Sequence, residues 1–487
     1  MWYGRNFNML DVSATQSVQI LVTHCHFHNN SATVLNLNSL HSLTVENSIM
    51  EYNYANSGTV VASSASAIPG DQTILARNST FYSNHATAEG AVFFISASVG
   101  SQTLTVENCN VTSNWADGDG GAFVMEASAT TVASQLVQLV DSVFDSNSAV
   151  GNGGVVAFHV NKQAYLELEV ANCSVRSNHA NKGGAFFLTD SLTDFISNAK
   201  VVMQDSECLQ NSATNGGVLL AQLGTTTALQ VECYLINNLF DGNVATANGG
   251  VMVLESGQDI TLTNNTWRNN KAQGVAIYAT DLKGLLTATG EVLGAQASLE
   301  PTWYILLPNN NLAQLDQMVF QPHGAAHLQL EGSTGGSGSS LQIISMRVEL
   351  DSNITHNVLL LSGLALDFEA LTVHLPPNLP PNFVVPISVG SSAVFDSVVF
   401  EYQNSTAGCF YETQQSGSGH VSIASVLCSS LPLSPTVTGQ VELVGTQVLY
   451  ANLTLQTTTE THIRVVEGCV LLQGQLNLTI LTETNPG

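Results

Sequence analysis

Three groups of residues in this chain of 487 have the types and spacing for chemistry. Glu167 and Glu169 are one residue apart, and Leu166, Leu168 and Val170 alternate around them. That alternation sets both carboxylates on the outward face of a strand, ~7 Å apart, within the range of an inverting glycosidase pair. One repeat onward the count brings Lys200 beside Glu167, so a plain surface ion pair is the competing reading. Asp117-Gly-Asp119-Gly has the oxygen donors of a calcium loop and equally the make-up of a turn. His24, His26 and His28 share an outward strand face opposite Cys25 and Phe27, where adjacent imidazoles suit a transition metal, although no fourth ligand is evident. There is no Gly-rich phosphate loop, nucleophile elbow or Cys-x-x-Cys pair. The expectation is no catalytic residue, no cofactor and no resident metal, with Asp117, Asp119, His24, His26 and His28 as weak metal candidates.

These side chains ride on a repeat. Nine times between residues 22 and 280 nearly the same phrase returns, as in Val106–Ala116 followed by Gly120-Gly121-Ala-Phe, and Val170–Ala180 followed by Gly183-Gly184-Ala-Phe. Aligned on a late asparagine (Asn30, Asn53, Asn84, Asn114, Asn147, Asn178, Asn211, Asn243, Asn270), the copies fall into columns. An apolar residue stands three places earlier, from Phe27 to Trp267, and a small or polar one two places before that, from Cys25 to Asn265. The residue before the small one is Asn or Asp in eight of nine copies, and alanine always follows the late asparagine by two. Apolar and small columns alternating with period two describe a strand with one buried face. An asparagine in every unit marks a bend, and stacked bends align their amides into a ladder, expected to run through Asn84, Asn114, Asn147, Asn178, Asn211 and Asn243. The Gly-Gly pair allows a second corner with positive φ. Strand, corner, strand, corner in roughly 30 residues is one coil of a parallel β-helix.

Beyond residue 280 the period continues without the decoration. An apolar residue followed at plus three and plus five recurs at Leu315/Met318/Phe320, Ile343/Met346/Val348, Phe368/Leu371/Val373 and Phe395/Val398/Phe400, and on toward Leu476/Leu478. The spacing predicts an all-β, right-handed parallel β-helix of about sixteen coils. Coils of about 30 residues span 1–280, and degenerate coils of about 26 residues continue the solenoid through 281–487. The Gly/Ser stretch 331–340 reads as a long corner loop within it.

Lys and Arg number 11 against 37 acidic residues, a net charge of −26, while charged residues make up only 10% of the chain. Nucleic acid and anionic lipid both need a basic patch, so neither is an expected partner. No run reaches the ~18 apolar residues of a membrane helix. The first twenty residues lack the apolar stretch of a signal peptide and resemble no cap, so the expectation is a fragment or a misassigned start. Of the 8 cysteines, Cys25, Cys109 and Cys173 share one inward column, with Cys109 and Cys173 two coils apart and out of bridging reach, so they read as small buried hydrophobes. Cys409, Cys428 and Cys469 leave room for one bridge. Asn-X-Ser/Thr sequons occur about as often as chance allows.

The paired signatures Phe-x-x-Asn (Phe27–Asn30, Phe81–Asn84, Phe144–Asn147, Phe240–Asn243) and Gly-Gly-Ala-apolar (Gly120–Phe123, Gly183–Phe186) resemble the repeats of chlamydial polymorphic membrane proteins and other pectin-lyase-like surface proteins. The likeness covers about residues 22–280. It implies a surface-exposed passenger or adhesin segment, though no series of aromatic-ended, lipid-facing strands like that family's C-terminal membrane barrel is expected in this sequence. The functional expectation is a non-enzymatic, extracellular structural or adhesive segment contacting protein or glycan, or another copy of itself. A polysaccharide lyase or glycoside hydrolase on the same fold is the alternative.

After each Gly pair both alternating sets are apolar. The bulkier set, Phe94, Phe123, Met125, Phe158, Phe186, Leu188 and Leu254, is assigned to the core. That leaves Ala91, Phe93, Val124, Phe187, Leu220, Val253 and Ile277 as an outward stripe, read as the contact surface unless a corner loop covers it.

Overall fold

The computed structural model describes residues 10–294 apart from stretches between strands, and from residue 303 the strands with a few flanking positions; side chains are described as far as Leu371. The chain forms two compact units, Met1–Ile260 with Asn269–Thr280, and Thr261–Arg268 with Asp281–Gly487. Among the described residues no helix is long and apolar enough to cross a membrane.

The first unit is a stack of parallel coils, and the coil beginning at Gln102 shows how the residues dictate each part. The strand Gln102–Glu107 alternates buried and half-exposed positions, with Leu104 and Val106 inside. Asn108 then turns the chain with φ 50, and its column repeats that angle at Asn47, Asn78, Asp141, Asn172, Asp205 and Asn237. Asn and Asp tolerate the left-handed region better than other residues with a side chain, which is why this column is so uniform. A three-residue strand, Asn110–Thr112, follows, with Val111 buried between two outward neighbours. Ser113 makes the second corner with φ 58, as do Ser83, Ser146 and Ser177 in their coils. The bend therefore falls one residue before the late asparagine, not on it as the repeat suggests.

The asparagine is turned inward instead. Asn114 Nδ2 donates to Asn147 Oδ1 at 2.9 Å and to the Phe81 carbonyl at 2.9 Å, while its backbone N–H donates to the same Asn147 oxygen at 3.1 Å. The same bonds link every late asparagine from Asn30 to Asn270. Each amide thus finds partners for both donors and its oxygen, which is the condition for burying it at all. Successive ladder members from Asn53 to Asn243 are 30 to 33 residues apart. A parallel ladder runs in the small column, where Cys25, Ser48, Cys109, Cys173 and Ser206 donate their backbone N–H groups to Ser48, Ser79, Ser142, Ser206 and Asn238.

After the two-residue strand Trp115–Ala116 comes the Gly pair, whose members serve different needs. Gly120 has φ +67, where a side chain is strained. Gly121 needs no special angle, but a Cβ there would lie 2.2 Å from the Gly154 carbonyl oxygen of the next coil, and Gly154, Gly184 and Gly217 repeat that close approach. The invariant alanine belongs to the same tight place, with Ala86, Ala91 and Ala116 packed together. Beyond it Phe123–Ala127 forms the third main sheet, and Phe93 stacks on Phe123 with ring centres 5.3 Å apart inside the core.

This sheet corrects the expected stripe. Val124, Ala157, Phe187, Leu220 and Val253 do point away from the core, yet each is at most 4% exposed. Phe93 pairs in register with Phe123 and faces the core, while Phe94 pairs with Val124 and joins the stripe, so these two assignments are exchanged. Ala91 is buried with the corner alanines. Ile277 pairs with Met252, one place off Val253; its side chain lies outside the described residues. The cover comes from the corners: the position a Gly120 Cβ would take is 2.3 Å from Val124 Cγ2, and that of Gly249 is 2.3 Å from Val253 Cγ2. The chain folds back over its own outward apolar residues, as the alternative reading required.

The second unit also stacks parallel strands, with shorter turns. Met318 pairs with Met346 and Met346 with Leu371, steps of 28 and 25 residues. The plus-three, plus-five positions Leu315, Met318 and Phe320 are buried, as are Ile343, Met346 and Val348. Corners at Gly290 (φ 69) and Gln317 (φ 50) carry no stacked asparagines. In place of a ladder stands one carboxylate: the fully buried Glu291 accepts the Asn265 backbone N–H and Nδ2 at 3.0 and 2.9 Å and Trp267 Nε1 at 2.6 Å. Cys409 and Cys469 lie outside the described residues, and of Cys428 only the backbone strand is described.

Candidate functional site

The outward faces of the short second-sheet strands line a groove of about 580 Å³ in the first unit. Because Val111 turns in, Asn110 and Thr112 must turn out, and the registers of Phe81, Phe144 and Val175 do the same for Thr80, Val143, Asp145 and Arg176. The corner column adds Asn78, Asn108 and Asp141 along one side. Two stacked amides are tied there, Asn108 Nδ2 donating to Asn78 Oδ1 at 2.7 Å. Thr112 Oγ1 donates to Asn110 Oδ1. Arg176 Nη2 sits 3.1 Å from Asp145 Oδ2, while Asp141 adds a second carboxylate to the lining. Cys109 contributes to the floor, where burial pushes its thiol up to about 11, so it is no nucleophile at neutral pH. The lining is thus a lattice of side-chain donors and acceptors with one cation, suited to hydrogen-bonding a polar chain.

Next to these strands runs a row of aromatic rings. Tyr54 and His85 meet edge to face at 5.1 Å, and His85 stacks on Trp115 at 4.8 Å. Tyr52 and Tyr82 meet edge to face at 5.3 Å. Tyr54 and Trp115 are each 48% exposed. In this row only the His85–Trp115 pair is stacked face to face, and Tyr54 and Trp115 leave about half of their surface to solvent.

The expected site residues fall elsewhere, mostly apart from one another. Asp117 Oδ1 is 3.3 Å from His85 and Asp119 Oδ2 is 2.9 Å from His159, so the two aspartates face different histidines and share no ligand position. His24 occupies a corner (φ 54) and contacts Thr23, leaving the strand face to His26 and His28, whose rings are 5.1 Å apart. His26 Nε2 meets Glu51 at 2.8 Å, a neighbour that counting along one strand does not reveal. Among the described residues no group of three His, Cys, Asp or Glu side chains is placed to hold a metal. Lys200 Nζ reaches Glu167 at 2.7 Å in the register the repeat predicts, and Glu169 accepts from Gln138 at 2.7 Å. The groove itself was missed. Its signal in the sequence is the run of polar outward positions, the corner residues Asn78 and Asn108 and the sequon residue Asn110.

A family model described as a right-handed β-helix region matches residues 5–137. No curated protein and no solved structure matches the chain. The parallel strand registers of the coils within that span are those of a β-helix.

Proposed function

We propose that the chain is a non-enzymatic surface segment whose β-helix presents the Asn78–Arg176 groove for contact with protein or glycan partners. The observation that carries this reading is the groove of about 580 Å³ lined by stacked polar side chains on a rigid ladder. Preorganised donors and acceptors lose little entropy on binding, so such a surface suits recognition of an extended polar ligand. The Glu167–Lys200 and Glu169–Gln138 contacts favour it over a glycoside hydrolase, because both carboxylates already have partners. The support for an extracellular placement is the resemblance of the Phe-x-x-Asn and Gly-Gly-Ala repeats to those of surface proteins. The test is binding of the full chain to arrayed glycans and to immobilised extracellular proteins, beside Arg176→Glu and Asn110→Ala variants. At least a tenfold loss with both variants supports the groove. Binding unchanged in both variants, or cleavage of any arrayed polysaccharide, overturns the reading.

A further inference from the structure

A second cluster of titratable side chains lies at the glycine corners, clear of the groove. Asp119 immediately precedes Gly120, and Glu89, Asn152 and Lys182 hold the same place before Gly90, Gly153 and Gly183. Strand register sets His159 beside Glu126 on one side and Thr189 on the other, all facing outward. From the corner, Asp119 reaches across to the next coil, where its Oδ2 is 2.9 Å from His159 Nε2 and its Oδ1 accepts the Asn152 backbone N–H at 2.6 Å. Lys182 makes the equivalent reach, donating to Gln222 Oε1 at 3.0 Å. Between these corner side chains and the sheet lies the buried stripe of Val124, Ala157, Phe187, Leu220 and Val253, and the His159 ring centre is 6.3 Å from that of Phe187.

Charge, more than an aligned hydrogen bond, joins the pair, because the His159 Nε2–H does not point straight at the aspartate oxygen. Burial works against the imidazolium, but Asp119, reinforced by Glu89 and Glu126, outweighs it and raises His159 above its ordinary 6.5. Burial likewise opposes the Asp119 charge, and His159 with the Asn152 N–H reverses that and holds the carboxyl below its usual range. Glu89 stays raised, because burial exceeds what His159 returns to it. Three carboxylates therefore act on His159, while the cation on the next corner, Lys182, is tied to Gln222.

We propose that Asp119 and His159 form a pH-operated clasp: protonated His159 holds the Asp117–Gly121 corner down over Val124, and loss of that proton loosens the corner and uncovers that part of the apolar stripe. His159 keeps its proton to higher pH in the folded chain than in the unfolded one. The clasp therefore contributes fully below the ordinary imidazole value of 6.5 and fades as the pH rises through the raised folded value. Asp119, held low, sets the acid limit, where the contribution fades as the pH falls through its depressed value. Between those limits the corner is shut, and on the alkaline side an apolar surface is released without any change in the ladders beneath it.

The clasp is tested on the full chain by following the His159 imidazole by NMR from pH 5 to 9. Amide exchange at residues 117–121, corrected for intrinsic rates, and binding of an apolar fluorescent dye are followed alongside. The expected result is a His159 midpoint above 6.5, with corner exchange and dye binding rising several-fold on the same curve. His159→Gln should leave both signals flat with pH. Asp119→Asn should bring the His159 midpoint back toward the ordinary value, a readout that holds even if His159→Gln does not fold. A wild-type midpoint at or below 6.5, or a midpoint untouched by Asp119→Asn, overturns the proposal.

Discussion

Asn147 and Asn178 are joined twice: the Asn147 side-chain amide donates to Asn178 Oδ1 at 3.1 Å, and its backbone N–H donates to the same oxygen at 2.9 Å. One side-chain carbonyl thereby holds two donors of the neighbouring coil, fixing both its height and its rotation about the stack. Asn147 also donates to the Val111 carbonyl at 2.9 Å, so its removal disturbs the coils on both sides.

Replacing Asn147 by alanine leaves the Asn114 N–H and amide and the Val111 carbonyl without their partner in a buried place. The expected cost is on the order of 3 kcal/mol, because each stranded group incurs its desolvation penalty without a compensating hydrogen bond. Coils in a solenoid couple mainly to their neighbours, so faster amide exchange should centre on residues near 114, 147 and 178. A denaturation midpoint equal to wild type would show that the ladder does not hold the coils.

The Gly pair offers a cleaner test, since its two members fail for different reasons. Gly153→Ala meets both the strained φ of +67 and a carbonyl oxygen 2.2 Å away within its own coil. Gly154→Ala keeps an ordinary backbone angle but meets the Gly184 oxygen at 2.2 Å, so it should push neighbouring coils apart. Each substitution should destabilise by about 2 kcal/mol or more, measured by thermal melting. If Gly154→Ala melts like wild type, the close approach of coils does not require glycine there.

Phe93→Asp and Phe187→Asp distinguish the two faces of the third sheet. Phe93 lies in the core against Phe81 and Phe123, so an aspartate there should abolish folding of the surrounding coils. Phe187 lies in the covered stripe, 4% exposed, and its replacement should lower stability by a smaller, still clear margin. Circular dichroism melts check both. A Phe187→Asp protein as stable as wild type would mean that the stripe is open to water.

Glu291 predicts a pH effect confined to the second unit. Burial pushes its carboxyl up from 4.5 to about 7, against the opposing pull of Asn265 and Trp267. Its folded value lies above its unfolded one, so between the two the folded state binds more proton. Stability should therefore fall as pH rises from about 4.5 to about 7, by roughly 3 kcal/mol in all, and level off above. Glu291→Gln should remove that slope. A slope unchanged in Glu291→Gln would assign the titration to another group.

The corners show where sequence reasoning reached and where it stopped. The Asn/Asp column, the inward apolar residues and the Gly pair were all legible because a repeat writes the same physical need again in coil after coil. The bend was misplaced by one residue because Asn114 satisfies turn statistics while Ser113 takes the positive φ, and propensity does not rank two adjacent turn formers. The exchange of Phe93 and Phe94 has a similar origin. Both are large and apolar, alternation cannot choose between them, and only pairing with Phe123 and Val124 orients them.

The sequence by itself determined the class of fold, the columns, the approximate length of a coil and the Glu167–Lys200 pairing, because these depend on periodicity along one strand and its nearest copy. Tertiary structure decided what covers what. Whether Val124 and Phe187 meet water depends on how the corners at Gly120 and Gly183 fold back over them, and whether Asp119 is a calcium ligand or a partner of His159 depends on a reach between coils. Both are set by the three-dimensional path of the corners, where a change of one backbone angle redirects a side chain without altering the period that sequence reveals.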